Sequence, residues 1–205
     1  MENKRKRVGI MGGTFNPVHI GHLLIAEQSY HEYGLDYVLF MPAGHPPHKQ
    51  QERIIKNEDR LAMVLLATED VPYFKVSDYE LKKEGLSYTW ETLSYFTRTA
   101  PENDYYFIMG ADSVKDLEHW RHPEIILQKA HVLAAVRGDT DLVALRREAD
   151  QLEQKYNTKI SLLGAPELDI SSRELRDRVV QGASIRFMVP EKVRKYILDH
   201  GLYQE

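Results

Sequence analysis

The chain has 205 residues, 42% of them hydrophobic, with 27 basic and 31 acidic side chains, a formal charge of −4 and no cysteine. That apolar content fills a core rather than a disordered tail, and the length suits one domain. The missing cysteine excludes a disulfide scaffold, a thiolate zinc site and a cysteine nucleophile, and the missing basic excess speaks against a nucleic-acid partner.

Met1 to Arg7 is basic, but a glycine-rich stretch follows it rather than the apolar core of a signal peptide. No apolar run approaches the roughly 20 residues that cross a bilayer, so the expectation is a cytoplasmic protein with no membrane partner. Lys4 to Arg7 read as a solvated lead-in to a buried strand, Arg7 to Met11, that ends in Gly12 and Gly13. Ile20 to Tyr33 is then predicted as a helix, with Leu23, Ala26 and Tyr30 near one face and Gly34 as its stop. Tyr37 to Met41 is the next strand, closed by Pro42, and a polar, proline-rich loop runs from Ala43 to about Lys56.

Asn57 can cap a helix reaching Glu69, in which Leu61, Val64, Leu65 and Thr68 recur at helical spacing. Phe74 to Val76 reads as a short strand, Thr89 to Thr99 as a helix ended by Pro101, and Tyr105 to Met109 as a strand before Gly110. A helix over Pro123 to Lys129, a strand over Val132 to Val136 ended by Gly138, and a helix over Asp141 to Tyr156 follow. Ile160 to Leu163 is the last strand, and Ser172 to Gln181 and Glu191 to His200 are the closing helices, with Gly201 as the final stop. Strand and helix alternate throughout without a hairpin signal. That pattern predicts an α/β, Rossmann-like, doubly wound parallel sheet with helices on both faces, in one domain over residues 1–205 with a helical portion from about residue 172. Ligands bind such sheets beyond the carboxyl ends of the strands, which directs attention to the segments after Met11, Met41, Met109 and Leu163.

The first of these reads G-G-T-F-N-P-V-H-I-G-H, from Gly12 to His22. Gly12 and Gly13 allow a tight turn whose N–H groups can face an anion, and Pro17 stiffens the loop before the helix. His19 and His22, three apart at a helix start, would share a face and could donate to phosphate oxygens. A metal pair or plain helix surface are the alternatives for two histidines alone, and no cysteine or carboxylate pattern accompanies them. The stretch fits neither G-x-G-x-x-G nor a P-loop. A second segment, I-S-S-R-E-L-R from Ile170 to Arg176, offers a helix cap at Ser171 or Ser172 and a guanidinium one turn on; by itself Ser171 with Glu174 is an ordinary capping box.

Gly13 to His22 resembles the signature of the nucleotidyltransferase superfamily that carries an H-x-G-H element, and Ile170 to Arg176 looks like that superfamily's I-S-S-x-x-x-R element. The resemblance implies that His19 and His22 contact ATP phosphates, that Gly12, Gly13, Thr14, Phe15, Ser171 and Ser172 belong to the ATP site, and that Arg176 binds the triphosphate from the opposite side. Arg173 stands where relatives often carry Ser or Thr.

Within the superfamily the chain resembles the bacterial nicotinate mononucleotide adenylyltransferases through four further segments. P-A-G-H-P-P-H-K, Pro42 to Lys49, is a stiff loop whose Lys49 can bring a cation to the reacting phosphates, although Ala43 replaces a frequent Asn. S-Y-T-W-E-T, Ser87 to Thr92, implies that Thr89 helps hold the nicotinate carboxylate. F-I-M-G-A-D, Phe107 to Asp112, offers Asp112 to ribose hydroxyls, and Trp120 in E-H-W-R-H is assigned to stack on the pyridine ring. The implied reaction joins the AMP part of ATP to nicotinate mononucleotide, giving deamido-NAD and pyrophosphate. Mg2+ would be carried mainly by the ATP phosphates, so no dedicated protein metal site is expected. Nicotinamide mononucleotide is the rival acceptor, a non-catalytic nucleotide sensor the rival class, and a homo-oligomer stays open.

Overall fold

Six strands form one sheet in the computed structural model, which describes residues 5–47, 54–136, 141–164 and 168–204. They are β1 (Arg7–Gly13), β2 (Tyr37–Pro42), β3 (Phe74–Val76), β4 (Asp104–Gly110), β5 (His131–Val136) and β6 (Ile160–Gly164). Their order is β3-β2-β1-β4-β5-β6, and every neighbouring pair is parallel. The helices are α1 (Ile20–Glu32), α2 (Asn57–Thr68), α3 (Thr89–Thr99), α4 (Asp112–Asp116), α5 (Pro123–Lys129), α6 (Leu142–Tyr156), α7 (Ser172–Val180) and α8 (Glu191–Asp199).

The strands are nearly continuous apolar runs because both faces of the sheet are covered. Val8, Ile10, Leu39, Met41, Phe107, Met109, Val132 and Ala134 share one core with Leu93, Val114, Ile126, Leu127, Leu145 and Leu152 from α3 to α6. The alternate residues Met11, Val38, Phe40, Ile108, Leu133 and Ala135 share the other with Ile25, Met63, Val64, Leu175, Val193 and Ile197 from α1, α2, α7 and α8. The period-2 alternation of each strand thus divides the chain's apolar residues between two layers.

The sheet order reverses between β1 and β4: the chain runs outward from β1 through β2 to β3, then returns to the other side of β1. The carboxyl ends of β1 and β4 therefore flank a crevice, the position where sheets of this topology bind ligands. Backbone bonds extend the ladder past the strand ends into that region, from Ala43 N to Gly13 O at 2.8 Å and from Ala111 N to Ala135 O at 2.9 Å.

Several expectations change. Lys56 is the N-cap of α2, and Asn57 is its first helical residue, its side-chain oxygen engaged by the Arg60 guanidinium instead of the helix backbone. The buried face of α2 consists of Arg60, Met63, Val64 and Thr68, while Leu65 is 50% exposed. Val64 and Thr68 of the expected stripe are buried, whereas Leu61 is half-buried and Leu65 exposed, because Arg60, a charged residue, and Met63 take the core-facing positions beside them. Helix α4 and a 3-10 turn at Leu117–His119 fall in a charged stretch, A-D-S-V-K-D-L-E-H-W, too short to show a period. In the lead-in, Arg5 pairs with Asp104 at 2.7 Å, and the Arg7 side chain donates to Tyr33 O at 3.1 Å, so both pin the start of the sheet. Lys49 and Gly138 lie outside the described residues.

Candidate active site

The loop leaving β1 runs beneath the amino end of α1, whose first turn contains no acidic residue to offset the partial positive charge there. His19 is the N-cap of α1 and His22 its third residue. Their rings lie 3.7 Å apart between centroids. The His19 N–H donates to His22 Nδ1 at 3.2 Å, so His22 fills the place that Glu or Gln takes in an ordinary capping box. An imidazole accepting at Nδ1 carries the proton of its neutral form on Nε2, which makes that atom a donor. His19 is 2% exposed, and His22 is the more open of the two. Gly21 between them has a steric reason: a Cβ there would stand 3.1 Å from His19 Nδ1 and 3.2 Å from His19 Cε1. A side chain at that position would push the ring out of place. The Phe15 ring is 1% exposed and stands 5.0 Å from His22, edge on, so it supports the histidine, and only its backbone remains to meet a ligand.

Helix α7 docks on this same loop across more than 150 residues of sequence. Ser171 caps it by accepting from Glu174 N at 3.1 Å. Ser172 Oγ donates to Pro17 O at 2.9 Å, and Arg176 Nη1 donates to Asn16 O at 2.8 Å. A guanidinium has five N–H donors, so that one bond leaves Arg176 able to hold an anion as well. The structure therefore brings His19, His22, Ser171, Ser172 and Arg176 together around the loop of Gly12, Gly13, Thr14 and Phe15. Tyr203 Oη donates to Asn16 Oδ1 at 3.0 Å, which ties the C-terminal residues to the loop as well.

The remaining described candidates lie on the segments that start α3 and that follow β4. Ser87 Oγ accepts from Gly44 N and His45 N, both at 3.2 Å, and Ser87 N donates to His45 O at 2.9 Å. The loop after β2 is thereby fixed to the segment that starts α3 at Thr89. A Cβ on Gly44 would run into the Glu80 carbonyl oxygen, so glycine is required there. The stretch after Trp120 folds back on the same place: Arg121 Nη1 donates to Tyr88 Oη at 3.4 Å, and His122 meets the Trp90 ring edge on at 4.8 Å. Trp120 itself is half-buried, 6.2 Å from Phe107, and Asp112 is exposed at the first turn of α4, just beyond β4.

Sequence reasoning missed Asn16, Arg60, Ser87 and Tyr203. Arg60 had left a signal, a charge on the apolar face of a helix. The others act through backbone or single hydroxyl contacts that no local pattern announces. Among the described residues no three His, Asp or Glu side chains stand together as a metal cage.

The cytidylyltransferase-like family matches this chain over residues 10–178. A probable nicotinate-nucleotide adenylyltransferase of Lachnoclostridium phytofermentans is 46% identical over 198 residues, covering 97% of this chain and 99% of that protein. One from Desulfitobacterium hafniense is 41% identical over 199 residues, covering 97% and 96%. Among solved structures, the nicotinic acid mononucleotide adenylyltransferase of Plasmodium falciparum complexed with NaAD has a TM-score of 0.80 at 17% identity, covering 97% of this chain and 98% of that one, a likeness of fold.

One buried carboxylate bonded to α3 gives a pH signature. Glu80 is 8% exposed and accepts from Thr92 Oγ1 at 2.6 Å. Burial raises its pKa, opposed by the Thr92 bond and the Lys83 charge. The folded chain then holds this proton to higher pH than the unfolded chain does, so the associated stability is full below the ordinary carboxylate range and is lost as pH rises through the folded value. Glu80→Gln keeps an acceptor for Thr92 and removes the charge. We expect its Tm to exceed the parent's at pH 8 and the difference to shrink as the pH is lowered to 4. A thermal melt showing the same difference at both pH values, or a lower Tm for the variant at pH 8, contradicts this assignment.

Proposed function

The chain belongs to the nicotinate-nucleotide adenylyltransferases of the cytidylyltransferase-like family, and from that premise we propose how its own residues carry out the family's reaction. It transfers AMP from ATP to nicotinate mononucleotide, giving deamido-NAD and pyrophosphate. The observation that carries the residue assignments is the convergence of the closely apposed His19–His22 pair and the Ser172–Arg176 turn on one glycine-bearing loop at the switch point of the sheet.

The attacking group is the phosphate monoester of the mononucleotide. Its second pKa is about 6, so at neutral pH it is largely a dianion and needs no general base. An oxygen of that phosphate bonds to the α-phosphorus of ATP as the bond from that phosphorus to the pyrophosphate oxygen breaks, and the electron pair leaves with pyrophosphate. Catalysis is alignment and neutralisation of charge. We assign phosphate contacts to the backbone of Gly12, Gly13, Thr14 and Phe15, to His19 and His22 Nε2–H, to the Ser171 hydroxyl, to the backbone N–H of Ser172 at the first turn of α7, and to the Arg176 fork, with Lys49 as a further cation. Thr89 and the first N–H groups of α3 suit the nicotinate carboxylate, Trp120 the pyridine ring and Asp112 the ribose hydroxyls. A divalent cation enters with ATP as part of the substrate, and Mg2+ is our proposed ion; phosphate-borne metal fits a site built of donors rather than carboxylates. The whole chain is read as one nucleotidyltransferase domain, with α7 and α8 completing the core on which α1 packs. Among the described residues no helix is long and apolar enough to cross a membrane, and we place the reaction in the cytoplasm.

Pyrophosphate release with ATP, Mg2+ and each mononucleotide tests the acceptor. Strong release with nicotinate mononucleotide and little with the nicotinamide form is expected; release with the amide alone overturns the assignment of Thr89. His22→Ala should lower turnover by about 100-fold or more, the range found when a preorganised donor to developing charge is lost. Circular dichroism should show its fold intact, and near-parental turnover in that folded variant removes His22 from the site.

A further inference from the structure

Arg60 is the bulkiest of the fully buried side chains, at 0% exposure, and it lies on the core face of α2 where the helix pattern calls for an aliphatic residue. Among the described residues its hydrogen-bond acceptors are all neutral. Nη1 donates to Thr14 O at 2.7 Å, Nη2 to Gly44 O at 3.4 Å, and Nη2 also to the Asn57 side chain. Thr14 belongs to the loop after β1, and Gly44 belongs to the loop after β2. One guanidinium therefore spans the two loops from behind. The Gly44 loop is in turn bonded to Ser87, two residues before Thr89, so the bridge continues to the start of α3.

A buried cation is costly, and a methionine of similar length would fill this space without that cost. Burial does lower the pKa of this group, while the Glu58 carboxylate nearby favours its charged form. A residue that breaks the local pattern against its own stability cost is a candidate for function, and here the break coincides with the only guanidinium among the described residues that joins these two loops. Resting on the reading of the Thr14 loop as part of the ATP site and of the segment at Thr89, to which the Gly44 loop is bonded, as the mononucleotide side, we infer that Arg60 is a positioning residue: its fork sets the register of the Thr14 loop against the Gly44 loop, and so aligns the two reactants without touching either. Lysine cannot replace it, because one ammonium cannot stand where both terminal nitrogens stand.

The test separates alignment from folding and from binding. For the parent, Arg60→Lys and Asn57→Ala, calorimetric titration with ATP bearing a methylene in place of its α–β bridging oxygen gives the number of competent sites and the affinity. A second titration with nicotinate mononucleotide gives the other affinity, and turnover is then expressed per competent site. We expect each binary Kd to stay within about threefold of the parent's, while kcat per site falls about 10- to 100-fold in Arg60→Lys and less in Asn57→Ala, the scale of loss caused by a misplaced reactant. The number of sites per chain should remain near that of the parent. If lost turnover is fully accounted for by fewer sites, or if kcat per site is unchanged in both variants, Arg60 is structural only and the inference fails. A parent that binds the ATP analogue but transfers nothing to the mononucleotide would instead overturn the underlying reading of the site.

Discussion

The reaction brings a phosphate dianion against the phosphate chain of ATP, and the repulsion between them is the constraint the carboxyl edge of this sheet answers. At contact distances two like charges in a partly desolvated site repel by several kcal/mol. In the proposed assignment the chain meets this with groups that are already held in place by the fold. The amino end of α1 is left without acidic residues, two imidazoles stand at its N-cap and third position with centroids 3.7 Å apart, and α7 is fastened to the same loop by Ser172 and Arg176. No nucleophilic side chain is required by this chemistry. What is required is that donors stand still, and the packing of Phe15 against His22 and the tight fit of Gly21 beneath His19 serve that need.

The site also depends on elements far apart in sequence meeting at one loop. Asn16 alone receives Tyr203 on its side chain and Arg176 on its carbonyl, and Thr14 two residues earlier receives Arg60. The last turn of the chain and the second helix both therefore bear on the geometry of the first loop. Ser87 performs the same service for the loop after β2, replacing backbone partners for two successive N–H groups with one hydroxyl. Burial raises the pKa of the Tyr203 hydroxyl, which keeps it a neutral donor to Asn16 across the working pH range.

Much of this was legible in order along the chain. Buried strands such as Tyr105 to Met109 announce themselves as short apolar runs, and their alternation with helix-period segments specified the parallel sheet before its register was known. The two segments that meet at the first loop were legible too, because Gly12, Gly13, His19 and His22 lie within eleven residues and Ser171 to Arg176 within six. What escaped was of two kinds. Helix α4 and the turn after it are too short for a period to emerge. The contacts that Arg60, Ser87 and Tyr203 make to the two loops join residues 16 to 187 positions apart, and a sequence shows such pairs no differently from any other. Arg60 even displaced the reading of its own helix, since a charged residue on the core face shifts the apparent apolar stripe toward Leu65.

The claim on which this account stands is direct transfer between two aligned phosphates, with the protein supplying position and charge and forming no bond to the adenylyl group. The stereochemical course at phosphorus tests it most directly. ATP with sulfur in place of one nonbridging α-oxygen, in a single configuration, is converted with nicotinate mononucleotide, and the configuration of the dinucleotide product is determined by phosphorus NMR. A single in-line displacement predicts inversion. Retention would mean two displacements through an adenylyl-protein intermediate, and would contradict the account at its centre.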